Sequence, residues 1–198
     1  MSIENETRER IILAALQLFL TRGIKKTAVS EIADQAGVTR VTAYRYFGDK
    51  KSLVRAAFMR PVAVFQQIQA AIVQGQRQPI AAYLDSVGAG LAALPQGDLP
   101  TRLDELQRLY PDIANEFHTT RMNVVKDIFD RLFAAAREQG ILRADINQEI
   151  VEIVFIEAAA NALQNPRLVS LNLSSPEIYN NIKNIFLYGI LRQSAKEA

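Results

Sequence analysis

Residues 27–50 read TAVSEIADQAGVTRVTAYRYFGDK, and the fold turns on this stretch. Val29, Ile32, Ala33 and Ala36 recur at the three-and-four spacing of a helix. Thr27 is the expected N-cap of that helix, and Gly37 stands just past its end, where a sharp turn needs a positive φ. Thr39 is the expected cap of a second short helix running through Phe47. Ala33 is small where the two helices must approach, and Val38, Ala43 and Phe47 are expected to face inward. Arg40, Val41, Thr42, Tyr44 and Arg45 are then left largely on the outer side. Two short helices joined by a tight turn form a helix-turn-helix, here over about residues 28–47.

The outer face has the chemistry of a nucleic-acid reader. Arg40 and Arg45 can fork onto guanine O6 and N7 or onto phosphate. Thr42 offers a hydroxyl, or a methyl for thymine, and Tyr44 and Tyr46 offer phenolic donors to phosphate oxygens. Lys50 opens the next helix, where free backbone N–H groups favour an anion, and Thr27 is expected to serve a phosphate in the same way. Charge agrees. Residues 1–60 hold 11 Lys and Arg against 6 Asp and Glu, while residues 61–198 hold 12 against 15. A basic first third on an acidic body suits a polyanion at one end, although a merely solvated basic face has the same composition.

Outward from this stretch the pattern is helical throughout. Ile12, Ala15, Leu16 and Phe19 mark a first helix ending before Gly23. Asp49 is the expected cap of a fourth, from Lys50 toward residue 74, with a kink or break expected at Pro61. Leu84, Val87, Leu91 and Leu94 mark another, followed by a loop at 95–100 and a short helix ending near Tyr110-Pro111. Val125, Ile128, Phe129, Leu132, Phe133 and Ala136 mark a long helix that stops at Gly140. Asn147 is placed to cap a helix over about 148–164. The last helix starts at a capping box of Ser174 with Glu177, or at Ser175 with Pro176 behind it. No alternating strand pattern of useful length and no internal repeat occurs.

Composition excludes several functions. The 198 residues contain no cysteine and one histidine. Disulfides, thiolate metal sites, a cysteine nucleophile and a multi-histidine zinc site are thereby ruled out. No metal and no cofactor is expected. There is no glycine-rich phosphate loop, no Gly-Xaa-Ser-Xaa-Gly elbow and no histidine base beside a nucleophile, so the chain is not expected to be an enzyme. No run approaches the roughly 18 uncharged apolar residues of a membrane helix. MSIENETRER lacks the apolar core of a secretory signal. A cytoplasmic protein is expected.

At this point a family resemblance becomes specific. Ala14-Ala15, Leu18-Phe19, Gly23, Thr27, Ile32-Ala33, Ala36-Gly37-Val38, Thr39, Thr42, Tyr44, Tyr46-Phe47, Lys50 and Leu53 stand at fixed spacings. Over about residues 8–58 the chain resembles the DNA-binding domain of the TetR/AcrR family of bacterial transcriptional regulators. It departs at Val41, where the family often has glycine, at Ala43, where leucine or isoleucine is usual, and at Gly48-Asp49. Val41 bears on the base sequence read and Ala43 on local packing.

The resemblance implies an all-α protein of two domains. Residues 1–60 would be the helix-turn-helix domain and residues 61–198 a larger helical domain for ligand binding and dimerisation. It further implies a ligand-responsive repressor that binds an inverted-repeat operator on double-stranded DNA as a homodimer. The DNA contacts would be Thr27, Thr39, Arg40, Thr42, Tyr44, Arg45, Tyr46 and Lys50. One recognition helix makes few contacts, which independently favours two copies about one helical turn apart. A stripe of Ile178, Ile182, Ile185 and Gly189, with Phe186 beside it, suits the dimer seam, or else packs on its own chain.

Pocket candidates for a small-molecule effector are Phe65, Tyr83, Tyr110, Phe117, Phe129, Phe133 and Phe155, most of which plain core packing would equally use. His118 and Asn161 complete the set, with a surface position the ordinary alternative for both; Glu152 and Glu157 are weaker candidates of the same kind. Fourth-helix bending at Pro61 is the expected link between ligand and DNA. Two other classes remain open: an enzyme with an appended helical domain, and a helical interaction protein using its basic end on a partner's acidic surface.

Overall fold

The computed structural model describes residues 3–73, 80–154, 165, 167, 170–171 and 173–190. Among these the chain is helical, with no strand: α1 Ile3–Arg22, α2 Val29–Gln35, α3 Arg40–Phe47, α4 Lys50–Val73, α5 Ile80–Ala92, α6 Leu99–Leu109, α7 Pro111–Glu138 and, last, α8 Ser175–Ile190. A further helical stretch, 148–154, starts where Asn147 Oδ1 accepts the Ile150 N–H at 3.2 Å. The rest of the helix expected to residue 164 lies outside the described residues. No described helix is long and apolar enough to cross a membrane.

Two compact units form. The first comprises Met1–Pro61 together with Leu94–Phe117, the second Val62–Ala93 together with His118–Ala198. The expected division near residue 61 is therefore corrected in one respect: residues 94–117 cluster with the N-terminal unit. Leu103, Leu106 and Ile113 are buried and α6 packs on α1, so this segment supplies core to the helix-turn-helix unit.

In the first unit Ile11, Ala15, Phe19, Ile24, Ile32, Ala33, Ala43, Leu53, Val54, Ala57 and Phe58 are buried, with Phe19 and Phe58 stacked at 6.3 Å between ring centroids. Ala33 and Ala43 have essentially no exposure, as close helix approach requires, and Phe47 is buried; Val38 is only half-buried. The turn after α2 is a Schellman motif. Gly37 N–H donates to Asp34 O at 3.1 Å and Val38 N–H to Ala33 O at 2.9 Å, with Gly37 at φ +66°.

Several local expectations change. The N-cap of α2 is Ala28, whose own N–H donates to Glu31 Oε2 at 2.7 Å; Thr27 is buried one residue earlier. The loop expected at 95–100 ends early, because Asp98 caps α6 by accepting the Thr101 N–H at 3.2 Å and Pro100 fits the first turn. α7 begins at Pro111, well before its apolar stripe, and α4 carries Pro61 inside one helix without the expected break. The box at α8 is that of Ser174: its N–H donates to Glu177 Oε2 at 2.7 Å, and the Glu177 N–H returns to Ser174 Oγ at 3.4 Å.

In the second unit α5 and α8 pack together. The Tyr179 hydroxyl donates to the Leu84 carbonyl at 2.7 Å, and Lys183 pairs with Asp85 at 2.7 Å. Burial pushes the Tyr179 phenol up, with the Asp85 charge adding to it. Arg143, in the turn after α7, pairs with Asp145 at 2.6 Å and donates to the Gly189 carbonyl at 3.0 Å.

Candidate nucleic-acid interface

The face of α3 opposite its buried Ala43 and Phe47 is open. Arg40, Val41 and Arg45 are exposed, Val41 to 78%, while Thr42, Tyr44 and Tyr46 are half-buried. An exposed valine on a short polar helix gains nothing from water. Beside a groove floor it is an apolar surface for a thymine methyl.

Both arginines are held against aromatic rings. The Arg40 guanidinium lies 5.3 Å from the Tyr44 centroid and that of Arg45 lies 5.5 Å from Tyr46. A cation over a ring keeps its edge N–H groups for an acceptor, so both guanidiniums are oriented without being consumed. From α1, the Arg8 guanidinium sits 5.4 Å from the ring of Phe47 at the end of α3. Arg8 was not singled out from sequence; the basic bias of residues 1–60 was its only signal there.

Thr39 caps α3 as expected, its hydroxyl accepting the Thr42 N–H at 3.1 Å. The same hydroxyl shares a 2.9 Å hydrogen bond with the Thr42 hydroxyl. Thr42 therefore spends one hydroxyl contact on the start of its own helix. Thr27 is corrected. It is 1% exposed, and its hydroxyl donates to the Gly23 carbonyl at 2.7 Å. A side chain so placed closes the α1–α2 turn and has no hydroxyl to give a phosphate.

Lys50 opens α4 behind Asp49, whose Oδ1 accepts the Ser52 N–H at 2.7 Å. That bond holds the Asp49 carboxyl below its usual range. Partial burial lowers the Lys50 ammonium from its usual value, while Glu105, Tyr44 and Glu31 lie near enough to act on its charge in the opposite sense.

The expected pocket residues are divided between the two units. Tyr110 and Phe117 belong to the first unit, and Phe117 is buried there. Phe65, Phe129 and Phe133 belong to the second, where Phe129 and Phe133 stack at 6.2 Å and Phe133 is buried. His118 is exposed. Glu152 forms an ion pair with Lys126 rather than standing open for a ligand. Phe155, Glu157, Asn161 and the side chain of Tyr83 lie outside the described residues. Among the described residues no group of side chains could hold a metal ion.

Of the seam residues, Ile178 and Ile182 are half-buried and Ile185 is 65% exposed, with Gly189 also exposed. The side chain of Phe186 is not among those described. Sequence reasoning missed Ile150, Ile153, Val154 and Tyr188, which are exposed to between 57% and 63% in the same unit. Apolar side chains left open after the rest of the unit has packed are the signal, and no sequence pattern isolates them.

A capped recognition helix standing on a three-helix core, with arginines and a valine on its open face, defines a helix-turn-helix DNA-binding protein. Residues 11–57 match the sequence model of the bacterial regulatory proteins of the tetR family. The chain is 23% identical over 194 residues to the probable acrEF/envCD operon repressor of Escherichia coli K12, covering 92% of this chain and 87% of that one. It is 47% identical over 143 residues to the HTH-type transcriptional repressor BepR of Brucella suis, covering 72% of this chain and half of that protein. Its fold is shared with SmeT, the repressor of the Stenotrophomonas maltophilia multidrug efflux pump SmeDEF, at a TM-score of 0.60 and 19% identity, covering 95% and 92% of the two chains. The chain belongs to the TetR/AcrR family of transcriptional regulators.

Proposed function

We propose that the chain is a repressor that leaves its operator when a small molecule binds. The observation that carries the reading is the open face of α3, where Arg40, Val41 and Arg45 project beside a capped turn in a domain of tetR-family sequence. Arg40, Thr42, Tyr44 and Arg45 meet the major groove; Tyr46 and Lys50 hold phosphates; Thr39 acts by capping α3. Two relatives named as repressors support repression over activation.

The exposed apolar residues of the second unit, Ile150, Ile153, Val154, Ile185 and Tyr188, support a homodimer closed through that unit. A two-fold dimer reads an inverted repeat, each recognition helix taking one half-site. Aromatic side chains of the second unit, Phe65, Phe129 and Phe133, support an apolar effector. The effector shifts the balance only by binding one arrangement of the dimer better than the other. No catalytic role is assigned, and action on the chromosome places the protein in the cytoplasm.

The test is selection of fragments bound from the source genome, with Tyr44→Ala as control. The expected result is an enriched inverted repeat that the control loses. No enrichment at low salt would overturn the reading and return the basic end to a protein partner.

A further inference from the structure

The loop between α1 and α2, residues 23–28, is held by a side chain eighty residues away. Glu105, on α6, accepts the Ile24 N–H with Oε2 at 3.0 Å and the Lys25 N–H with Oε1 at 2.9 Å. Arg102, one turn earlier, donates to the same carboxylate at 3.1 Å. Both partners of that pair are largely buried, with side-chain exposures of 20% and 15%. Gly23 leaves room for the arrangement: a Cβ there would meet Arg102 Nη1 at 2.9 Å and Glu105 Oε2 at 3.0 Å, and its φ is +99°. The geometry is that of a carboxylate seated in a fitted cradle of two backbone donors and one guanidinium, the strong charge-assisted kind. Ordinary caps on this chain, Thr39, Asp49 and Asp98, reach three residues along their own helix. Glu105 instead crosses to another element.

The loop so fixed carries two exposed lysines, Lys25 and Lys26. The loop leads into α2, which packs on the recognition helix α3, so the clamp holds the entry to the helix-turn-helix. We propose that Glu105 is a positioning residue for DNA binding: its carboxylate sets the α1–α2 loop so that Lys25 and Lys26 contact backbone phosphates beside the recognition helix. This rests on the regulator reading above and names part of its contact surface. Phosphate contacts fix register without reading bases. Loss of the clamp therefore weakens binding to all sequences alike and leaves base preference to α3.

The experiment titrates the full-length chain on its most enriched genomic fragment across a salt series. Wild type, Glu105→Gln, Lys25→Gln with Lys26→Gln, and the triple variant are compared. Amide exchange at Ile24 and Lys25 is followed in parallel. Glu105→Gln is expected to speed exchange at both amides, to weaken binding on the order of tenfold and to flatten the salt dependence, since each lost phosphate contact removes about 0.9 from the slope. The lysine pair should show the same loss, and Glu105→Gln should add little on top of it.

A merely structural clamp would lower the melting temperature while leaving affinity and salt slope alone, which overturns the proposal. Losses that add independently overturn it too. So does unchanged affinity in the lysine pair, a surface change that stands even where Glu105→Gln fails to fold. A wild-type chain that enriches no DNA sinks the regulator reading itself, and is distinguishable because it involves no variant.

Discussion

The Arg40 guanidinium lies 5.3 Å from the centroid of the Tyr44 ring, one helical turn further along α3. The half-buried ring is a surface against which the exposed arginine rests. Truncating Arg40 to alanine is expected to cost about 1–3 kcal/mol on the best operator and to relax preference at one base position. Tyr44→Ala should loosen the same position, because it removes the surface that aims the arginine, whereas Tyr44→Phe keeps the ring and should keep the preference. Binding to a panel of singly altered operators checks this. A Tyr44→Ala variant that weakens every sequence equally would make Tyr44 a phosphate contact only.

Thr39 holds the start of α3 through the Thr42 N–H. Alanine leaves that donor without its side-chain partner, at a cost of about 1 kcal/mol. For a chain of this size that is about 2–4 °C in melting temperature. Thr39→Ser should restore it. Thermal unfolding of the three proteins is the measurement, and an unchanged Thr39→Ala curve would mean the cap contributes nothing.

Glu105 gives the unit a defined acid sensitivity. Burial works against its charge, but the Lys25 and Ile24 N–H groups and Arg102 overcome it, and the carboxyl is held below its usual value of 4.5. The folded pKa is thus below the unfolded one. The stability from this group is fully present above the unfolded value and is lost as pH falls through the folded value. Glu105→Gln should flatten the acid limb of stability against pH between those points and leave its shape near neutrality unchanged. Denaturant unfolding at a series of pH values reads it; an acid limb identical to wild type would remove Glu105 as a contributor.

What the sequence could tell divides by the range of the interaction. Gly37, Thr39, Asp49 and the Ser174–Glu177 box were readable because caps and turns act within four residues. Thr27 was misread as a cap because a threonine one residue before a helix has the same local pattern whether its hydroxyl turns to the helix or, as here, to the Gly23 carbonyl. The assignment of residues 94–117 to the N-terminal unit was out of reach, since it depends on α6 meeting α1 and Glu105 meeting a loop eighty positions earlier. The exposure of Arg40, Val41 and Arg45 was legible, because Ala43 and Phe47 fix which side of so short a helix is inside, whereas the half-burial of Thr42 and Tyr44 was not.

Close packing in the second unit makes Gly90 sensitive. A Cβ there would overlap Val64 Cγ1, and Val64 is 5% exposed. Gly90→Ala is expected to destabilise by about 1–3 kcal/mol despite the better helix propensity of alanine. Val64→Ala removes the obstructing methyl, so the double variant should be more stable than Gly90→Ala alone. Equilibrium unfolding of the set checks it. A Gly90→Ala protein as stable as wild type would show that the two helices separate freely at this point.

Ile185 and Tyr188 stand three residues apart on α8, 65% and 62% exposed. In a lone chain such side chains contribute little to stability, so replacing one with a charge should leave the fold intact. In a dimer closed through this face, the same charge is buried against apolar surface and has no partner. Ile185→Glu is therefore expected to shift the protein to monomer by at least tenfold in dissociation constant, with its helical content preserved. Operator affinity should fall with it, because a single half-site contact remains. Sedimentation across a dilution series separates the outcomes. A variant that stays dimeric at the dilutions where wild type does would move the seam off this face of α8, leaving the half-buried Ile178 and Ile182 as packing within their own chain.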